Sequence, residues 1–166
     1  SETARDVTVD YIKTTIGSLP QHKFAHWAGA TKTEVRKGSN DTALRYVLEV
    51  YVDDFIACII PTTQQQVEHV ARGILHGIHD VFPPSEDDSK DPVSAKKLRK
   101  GDGTFAPTKC LIGFDFDGVN KTLWLEETKR ASLLTILHQW IRGATKTRRG
   151  IPFSEFESVI AKLRHA

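Results

Sequence analysis

The chain has 166 residues, of which 39% are hydrophobic and 27% are charged, and its formal net charge is +2 at pH 7. This length suits one domain and this composition suits a globular fold, so a disordered chain is excluded. The longest apolar runs, such as residues 55–60, are far shorter than the roughly 20 residues of a membrane-spanning helix, and the polar start has no signal-peptide pattern, so we expect no membrane partner.

The first elements of the chain are predicted to be a helix and a hairpin. Apolar residues spaced three or four apart predict a helix over residues 1–16. Residues 45–60 hold two runs of β-branched and aromatic residues, and two adjacent aspartates separate these runs. This pattern is typical of a hairpin whose turn lies at the aspartates.

The next element is predicted to be an amphipathic helix over residues 63–82. Thr63 and Gln66 have the spacing of a capping box, in which the first side chain and the fourth satisfy each other's backbone N–H groups. The apolar residues that follow recur at helical spacing. Three of them are expected to face the hairpin: Val67, Ile74 and Ile78.

The second half of the chain is predicted to begin with a loop over residues 83–107, which is rich in charge, Gly and Pro. A second hairpin is predicted over residues 108–125, and two helices over residues 126–166. Hairpins alternating with helices indicate an α+β fold, in which antiparallel hairpins pack on helices.

Positive charge is concentrated in two runs, although the net charge is small. Such runs suit a polyanion such as nucleic acid, and the alternative is that they only keep loops soluble. The candidate bases are Lys96, Lys97, Arg99 and Lys100 in the predicted loop, and Arg142, Lys146, Arg148 and Arg149 near the end of the chain.

The sharpest local feature is the sequence Tyr51-Val52-Asp53-Asp54 between two apolar strands. Neighbouring carboxylates repel each other, and a divalent ion such as Mg²⁺ offsets that repulsion. An ordinary turn is the alternative, since Asp is a common turn residue. The motif and its flanks resemble the catalytic hairpin of reverse transcriptases, which are RNA-directed DNA polymerases.

The resemblance extends over roughly residues 45–166. Residues 108–125 are similar to the primer grip of that family, and residues 126–166 to the start of the thumb in retrotransposon members. The resemblance implies a partial palm over residues 1–125, a helical thumb-base over 126–166, and two-metal nucleotidyl transfer in the complete parent. It also implies Mg²⁺ as the cofactor, Asp53 and Asp54 as metal ligands and catalytic residues, and an RNA or DNA primer-template as the partner.

The family also carries an aspartate upstream of the palm helix and a lysine that protonates the departing pyrophosphate. No acid near the start of this sequence suits the first role, so we expect the chain alone to be inactive and the upstream part of the polymerase to be a further partner. Lys96, Lys97 and Lys100 are candidates for the second role, and the spacing does not choose among them.

Two other functions are open at this point. The sequence Phe114-Asp115-Phe116-Asp117-Gly118 matches the opening signature of haloacid-dehalogenase-like phosphatases, which need a parallel sheet. The second alternative is a domesticated or remnant palm that binds nucleic acid or protein without catalysis. Trp124 is a candidate for stacking on a base, with core packing as the alternative.

The cysteines and histidines suggest no further chemistry. Cys58 and Cys110 lie in apolar, strand-like runs, and we expect both to be buried and reduced. Reduced thiols favour an intracellular protein, cytoplasmic or nuclear. The seven histidines are scattered, and those of the predicted helix, His69, His76 and His79, are expected to be packed or solvated rather than metal ligands.

Overall fold

The computed structural model describes residues 2–29, 43–52, 54–147 and 152–164. The fold is α+β, as predicted, with two small antiparallel sheets and helices. The chain divides into two compact units, Ser1–Ala106 and Pro107–Ala166. The elements are α1 (Glu2–Ile12), β1 (Arg45–Tyr51), β2 (Asp54–Ile60), α2 (Gln64–Val81), α3 (Ala95–Arg99), β3 (Thr108–Leu111), β4 (Phe114–Asp117), β5 (Thr122–Leu125), α4 (Glu127–Thr147) and α5 (Phe153–Arg164).

The first helix is shorter than predicted, because α1 ends at Ile12 rather than at residue 16. The buried side chain of His69 on α2 contacts the last residue of α1 and the segment that follows it. Its Nε2 lies 3.1 Å from the carbonyl oxygen of Ile12, and its Nδ1 accepts a hydrogen bond from the backbone N–H of Gly17 at 3.4 Å. Gly17, five residues after the end of α1, has a φ of +88°, a left-handed conformation that glycine adopts readily.

The amphipathic helix and its capping box are confirmed. The Thr63 hydroxyl accepts a hydrogen bond from the backbone N–H of Gln66 at 3.2 Å. The Gln66 side chain accepts in return from the backbone N–H of Thr63 at 3.4 Å and from that of Thr62 at 2.7 Å. The two side chains therefore satisfy backbone donors that the start of any helix leaves unpaired.

The helices α1 and α2 approach each other closely at Gly77. A methyl group added there would meet the Thr8 side chain and would lie 2.7 Å from the Thr8 Cα atom. Thr8 is itself fully buried, and its hydroxyl donates to the carbonyl oxygen of Ala4 at 2.7 Å. The absence of a side chain at Gly77 thus sets the distance between the two helices.

The first hairpin is antiparallel, as predicted, with Arg45 opposite Ile60 and Tyr51 opposite Asp54. One side of the hairpin packs on α1 and α2 through Leu48, which is buried with Ile12 and Val70. Ile74 packs against this cluster, as predicted.

The prediction for Ile78 is wrong. Ile78 packs instead against a second cluster around Phe24, because it lies on the face of α2 that carries Ala71 and Leu75, and these two residues belong to that cluster. Val67, also expected to face the hairpin, is fully buried. Unit 1 therefore has one core cluster under the hairpin and another on a different face of α2.

The prediction of an unbroken loop over residues 83–107 is wrong in its middle, where α3 forms. The Ser94 hydroxyl caps this helix by accepting a hydrogen bond from the backbone N–H of Lys97 at 3.3 Å. Ala95 is buried with Phe24 and Val93, and Leu98 packs against the same cluster. The apolar contacts of α3 with the core explain why this charged stretch becomes helical.

The second unit holds a three-stranded sheet, so the prediction of a single hairpin over residues 108–125 is wrong. The additional reversal occurs at Ile112 and Gly113, whose φ angles are +53° and +83°. After the sheet come two helices, α4 and α5, and the Trp140 ring stacks on the Phe156 ring with their centroids 6.3 Å apart. The division into palm and thumb-base at residues 125 and 126 stays a prediction, since the compact units divide earlier.

The structure also bears on membrane-spanning helices and on the burial of the two cysteines. Within the described ranges, no helix is long and apolar enough to cross a membrane. Both cysteines are free thiols, but the expectation that they are buried is wrong, since Cys58 and Cys110 lie on solvent-exposed faces of their strands.

Candidate active site

The candidate site lies at the turn of the first hairpin. Asp54 is the first residue of β2 and lies opposite Tyr51, the last residue of β1. Asp53, the other aspartate of the pair, lies outside the described residues. Val52 has a φ of +59°, which is unusual for a β-branched residue and marks a strained turn.

The turn is held in place because the strands beside it pack on the helices. Phe55 follows Asp54 directly and packs against the cluster of Ile12, Leu48 and Val70. Because side chains alternate along a strand, burial of Phe55 directs its neighbour Asp54 away from that cluster. The Asp54 side chain is 57% exposed and is open to ligands from solvent.

A lysine from α3 faces this carboxylate. The Nζ atom of Lys97 lies 3.9 Å from Oδ1 of Asp54, and the two side chains are 64% and 57% exposed. An exposed pair of this kind contributes less than about 1 kcal/mol to stability. Of Lys96, Lys97 and Lys100, the structure records such an ion pair with Asp54 for Lys97.

An exposed carboxylate at a turn is a reasonable ligand for Mg²⁺, which binds one or two carboxylates and keeps most of its waters. Among the described residues, no group of three or more His, Cys, Asp or Glu side chains is arranged to hold a metal ion.

The predicted nucleic-acid-binding bases are divided between the two units. In unit 1, α3 carries Lys96, Lys97 and Arg99, and Lys100 follows it. The Arg99 guanidinium lies 4.5 Å from the centroid of the Trp27 ring, a cation–π contact that holds its position. In unit 2, Arg142 and Lys146 belong to α4, whereas Arg148 and Arg149 lie outside the described residues.

Trp124, the candidate for stacking on a base, lies in β5 opposite Asp115. Its side chain is 41% exposed, so core packing does not account for all of its surface. Part of the ring is thus accessible to a base, as stacking requires.

The phosphatase alternative is wrong, because β3, β4 and β5 form an antiparallel sheet and that family needs a parallel one. Asp117 instead stabilises the turn after β4. One of its oxygens accepts hydrogen bonds from the backbone N–H groups of Val119 and Asn120 at 2.8 and 2.9 Å, and the other accepts from the Asn120 side chain at 2.8 Å. These bonds, first those from Asn120, lower the pKa of Asp117 below its ordinary value.

Sequence analysis missed a second cluster of titratable side chains in unit 1. His22, His79 and Asp91 are joined by two hydrogen bonds of 2.9 Å each. Their separations along the chain are 57 and 12 residues, so no local spacing indicates the cluster.

Comparisons of this chain with models of protein families, with curated proteins and with solved structures find no match.

Proposed function

We propose that the chain is the palm and thumb-base part of a reverse transcriptase of the retrotransposon type, an RNA-directed DNA polymerase. One observation carries the proposal: in the sequence Tyr51-Val52-Asp53-Asp54, Tyr51 and Asp54 are the last pair of an antiparallel hairpin, and one side of that hairpin packs on two helices. An exposed carboxylate on a packed hairpin combines access to solvent with a fixed position.

In the complete polymerase, Asp53 and Asp54 would hold Mg²⁺, which neutralises the charge that develops on the transferred phosphoryl group. The residues of this chain contribute position and charge. Lys97, beside Asp54, is the lysine that we assign to the departing pyrophosphate, to which it would give positive charge and a proton. Of the three candidate lysines, it is the one with an ion pair to Asp54.

Two-metal transfer needs more carboxylates than one adjacent pair, because two ions must clamp the attacking and leaving oxygens. We therefore expect no primer extension by this chain alone. Its own measurable properties are binding of a divalent ion at the hairpin and weak binding of nucleic acid.

The basic runs supply the second property. Lysine and arginine contacts to phosphates release counterions, so the affinity falls as the salt concentration rises, with little dependence on base identity. Three to five such contacts would give a slope of about −2 to −4 for log affinity against log salt.

The decisive experiment is titration with Mn²⁺, which prefers the same oxygen ligands as Mg²⁺ and broadens the NMR signals of nearby nuclei. We expect broadening centred on Tyr51 to Phe55 and reaching Lys97. Asp54→Asn should abolish it at these residues. Asp115→Asn is the matched control, since it removes a strand carboxylate of unit 2 and should leave the hairpin signals unchanged.

The proposal fails if Mn²⁺ broadens the hairpin no more than it broadens the acidic stretch around Asp87 and Asp88. If nucleic acid still binds in that case, the chain is a binding module without a metal site. Fluorescence anisotropy with a single-stranded oligonucleotide at several salt concentrations measures that binding.

For the nucleic-acid experiment, the test variant is Arg148→Gln with Arg149→Gln, which should reduce the magnitude of the salt slope by about 1–2. The control is Arg130→Gln. The Arg130 guanidinium already binds the Glu127 carboxylate through two hydrogen bonds of 2.7 and 2.8 Å, so its loss should leave the slope unchanged.

A further inference from the structure

The segment between α1 and the end of the first described range, residues 13–29, lies along one face of α2 and is here called the strap. Four side chains of α2 bind residues 17–22 of the strap at successive helical turns, at spacings of three, four and three residues. They are His69, with Gly17 of the strap; Arg72, with Leu19 at 3.3 Å; His76, with Pro20 at 3.1 Å; and His79, with His22 at 2.9 Å.

The last of these four contacts, at His22, is part of a chain of hydrogen bonds in which every proton can be assigned. The carboxylate of Asp91 only accepts, so His79 carries its proton on Nε2, 2.9 Å from Asp91 Oδ1. Nδ1 of neutral His79 must then accept, so His22 donates from Nε2 at 2.9 Å. Nδ1 of His22 accepts in turn from the backbone N–H of Phe24 at 3.2 Å.

The hydrogen-bond chain from Asp91 to Phe24 cannot take up a further proton without losing a hydrogen bond. A second proton on His79 would face the N–H of His22. If His22 released that proton and carried one on Nδ1 instead, the new N–H would face the backbone N–H of Phe24. Either arrangement replaces a hydrogen bond by two opposed donors, and an imidazolium has no lone pair with which to accept.

The charged and titratable neighbours of His22 have opposing effects on its pKa. His76 lies with its ring centroid 5.0 Å from that of His22, and Lys23 binds Asp91 at 2.6 Å and Asp88 at 3.9 Å. Burial, followed by His79 and His76, lowers the pKa of His22 from 6.5 to about 4, although Asp91 acts in the other direction. Tyr11 stacks on the far side of this group, against His76.

The same assignment shows how the histidine chain holds the strap. Both ring nitrogens of His22 and both of His79 have hydrogen-bond partners within the protein. Lys23 is likewise bound to the buried carboxylate of Asp91. These bonds connect the strap to α2 and to the segment that carries Asp91.

We infer that the strap is a pH-sensitive latch, closed on α2 while His22 and His79 are both neutral and released when the pair takes up an additional proton. The strap carries Leu19, Phe24 and Ala28 into the core, so its release exposes apolar surface. Phe24 is in the same core cluster as Ala95 of α3. Release therefore also removes packing from the helix that carries Lys97, independently of the function proposed above.

Hydrogen exchange of the full chain between pH 7.5 and 4.5, corrected for the intrinsic exchange rate, tests this inference. Peptides from the strap should lose protection as the pH falls below about 6.5, the ordinary pKa of histidine. The opening constant should rise up to about tenfold per pH unit for each histidine that gains a proton on opening.

His22→Gln is the informative variant, because glutamine donates to His79 but takes up no proton. Its strap should show a pH dependence smaller by up to about tenfold per pH unit. His138→Gln, an exposed change on α4, is the control and should behave as the native chain does. Strap protection that is independent of pH, or an undiminished dependence in His22→Gln, overturns the inference.

If His22→Gln does not fold, the hydrogen exchange of the native chain still tests the release, and long-range ¹H–¹⁵N spectra at pH 7 test the proton assignment on which the latch depends. His22 and His79 should both carry their proton on Nε2. A proton on Nδ1 of either ring, or an imidazolium at neutral pH, contradicts the latch.

Discussion

The Nζ atom of Lys97 lies 3.9 Å from Oδ1 of Asp54, although the two residues belong to elements separated by the whole of α2. Lys97 is held there by the contacts of α3 with the second core cluster, through Ala95 and Leu98. A cation at this distance competes with a divalent ion for the carboxylate. Lys97 is thus the partner of Asp54 in this structure, and it would compete with any divalent ion that the carboxylate bound.

We predict that Lys97→Gln increases the affinity of the hairpin for Mn²⁺ by about 1.4- to fivefold, which corresponds to the usual 0.2–1 kcal/mol of an exposed ion pair. The NMR titration of residues 51–55 measures this affinity. Lys96→Gln is the matched control, since it removes the same charge from the adjacent position of α3. An equal gain in both variants would mean that only net charge matters.

The sequence predicted those parts of the site whose signals are local. The aspartate pair lies between two β-prone runs, and the capping box of α2 depends on two residues three apart, so both are visible in short stretches. The choice of Lys97 was not predictable, because it depends on α3 packing against the Phe24 cluster. The histidine chain was missed for the same reason, since it joins residues 57 apart.

The turn at Ile112 and Gly113 was missed for a different reason. A single glycine interrupts an otherwise continuous β-prone run there, and this pattern also fits one long strand. In the structure, both residues adopt a left-handed conformation, so the run folds into two strands joined by a turn. Ile112, which is β-branched, is a poor candidate for that conformation on sequence grounds.

We predict that Gly77→Ala reduces the free energy of unfolding by about 1–3 kcal/mol, the usual cost of overpacking. Alanine is the better helix former by about 1 kcal/mol, but its methyl group would lie 2.7 Å from the Thr8 Cα atom. Thr8→Ala should not restore stability, since that Cα atom remains. Urea unfolding followed by circular dichroism measures the change.

The comparison for that variant is Gly73→Ala, four residues earlier on α2. The added methyl would lie 2.7 Å from Cγ1 of Ile12, a side-chain atom that can move, and 3.3 Å from the Ile12 backbone nitrogen. The loss should therefore be smaller than for Gly77→Ala. Equal losses in the two variants would contradict the assignment of Gly77 as the closest approach of the helices.

We predict that Thr63→Ala reduces the free energy of unfolding by about 1 kcal/mol, the typical contribution of a helix N-cap. The substitution leaves the backbone N–H of Gln66 without its acceptor at the start of α2. Thr63→Ser retains the hydroxyl and should lose much less. The same urea experiment measures both variants, and a serine variant as unstable as the alanine variant would attribute the loss to packing.

The final prediction concerns the pH dependence of the stability of unit 1. The folded pKa of His22 is about 4 against an ordinary 6.5, so between these values the unfolded chain binds more protons than the folded chain. The free energy of unfolding should therefore fall as the pH falls from about 6.5 to 4. Above 6.5 this group should cause no further change.

Asp91 also makes unit 1 less stable as the pH falls, but at lower pH than His22 does. Burial alone would raise its pKa, but hydrogen bonds from Lys23, His79 and two backbone N–H groups outweigh burial and hold the pKa well below the usual 3.8. A carboxylate with a lowered pKa contributes stability that is present above 3.8 and lost as the pH falls through the folded value. The two groups together predict a continuous loss of stability on acidification.

Urea unfolding at a series of pH values tests this prediction, followed by the fluorescence of Trp27 in a chain where Trp124 and Trp140 are replaced by Phe. Trp27 packs against the Phe24 cluster, so its emission reports the unit that contains His22. His22→Gln should flatten the dependence between pH 6.5 and 4 and leave the decline at lower pH, because Asp91 remains. A stability that is constant from pH 7 to 4 in the native chain would show that His22 gains its proton in the folded and unfolded states alike.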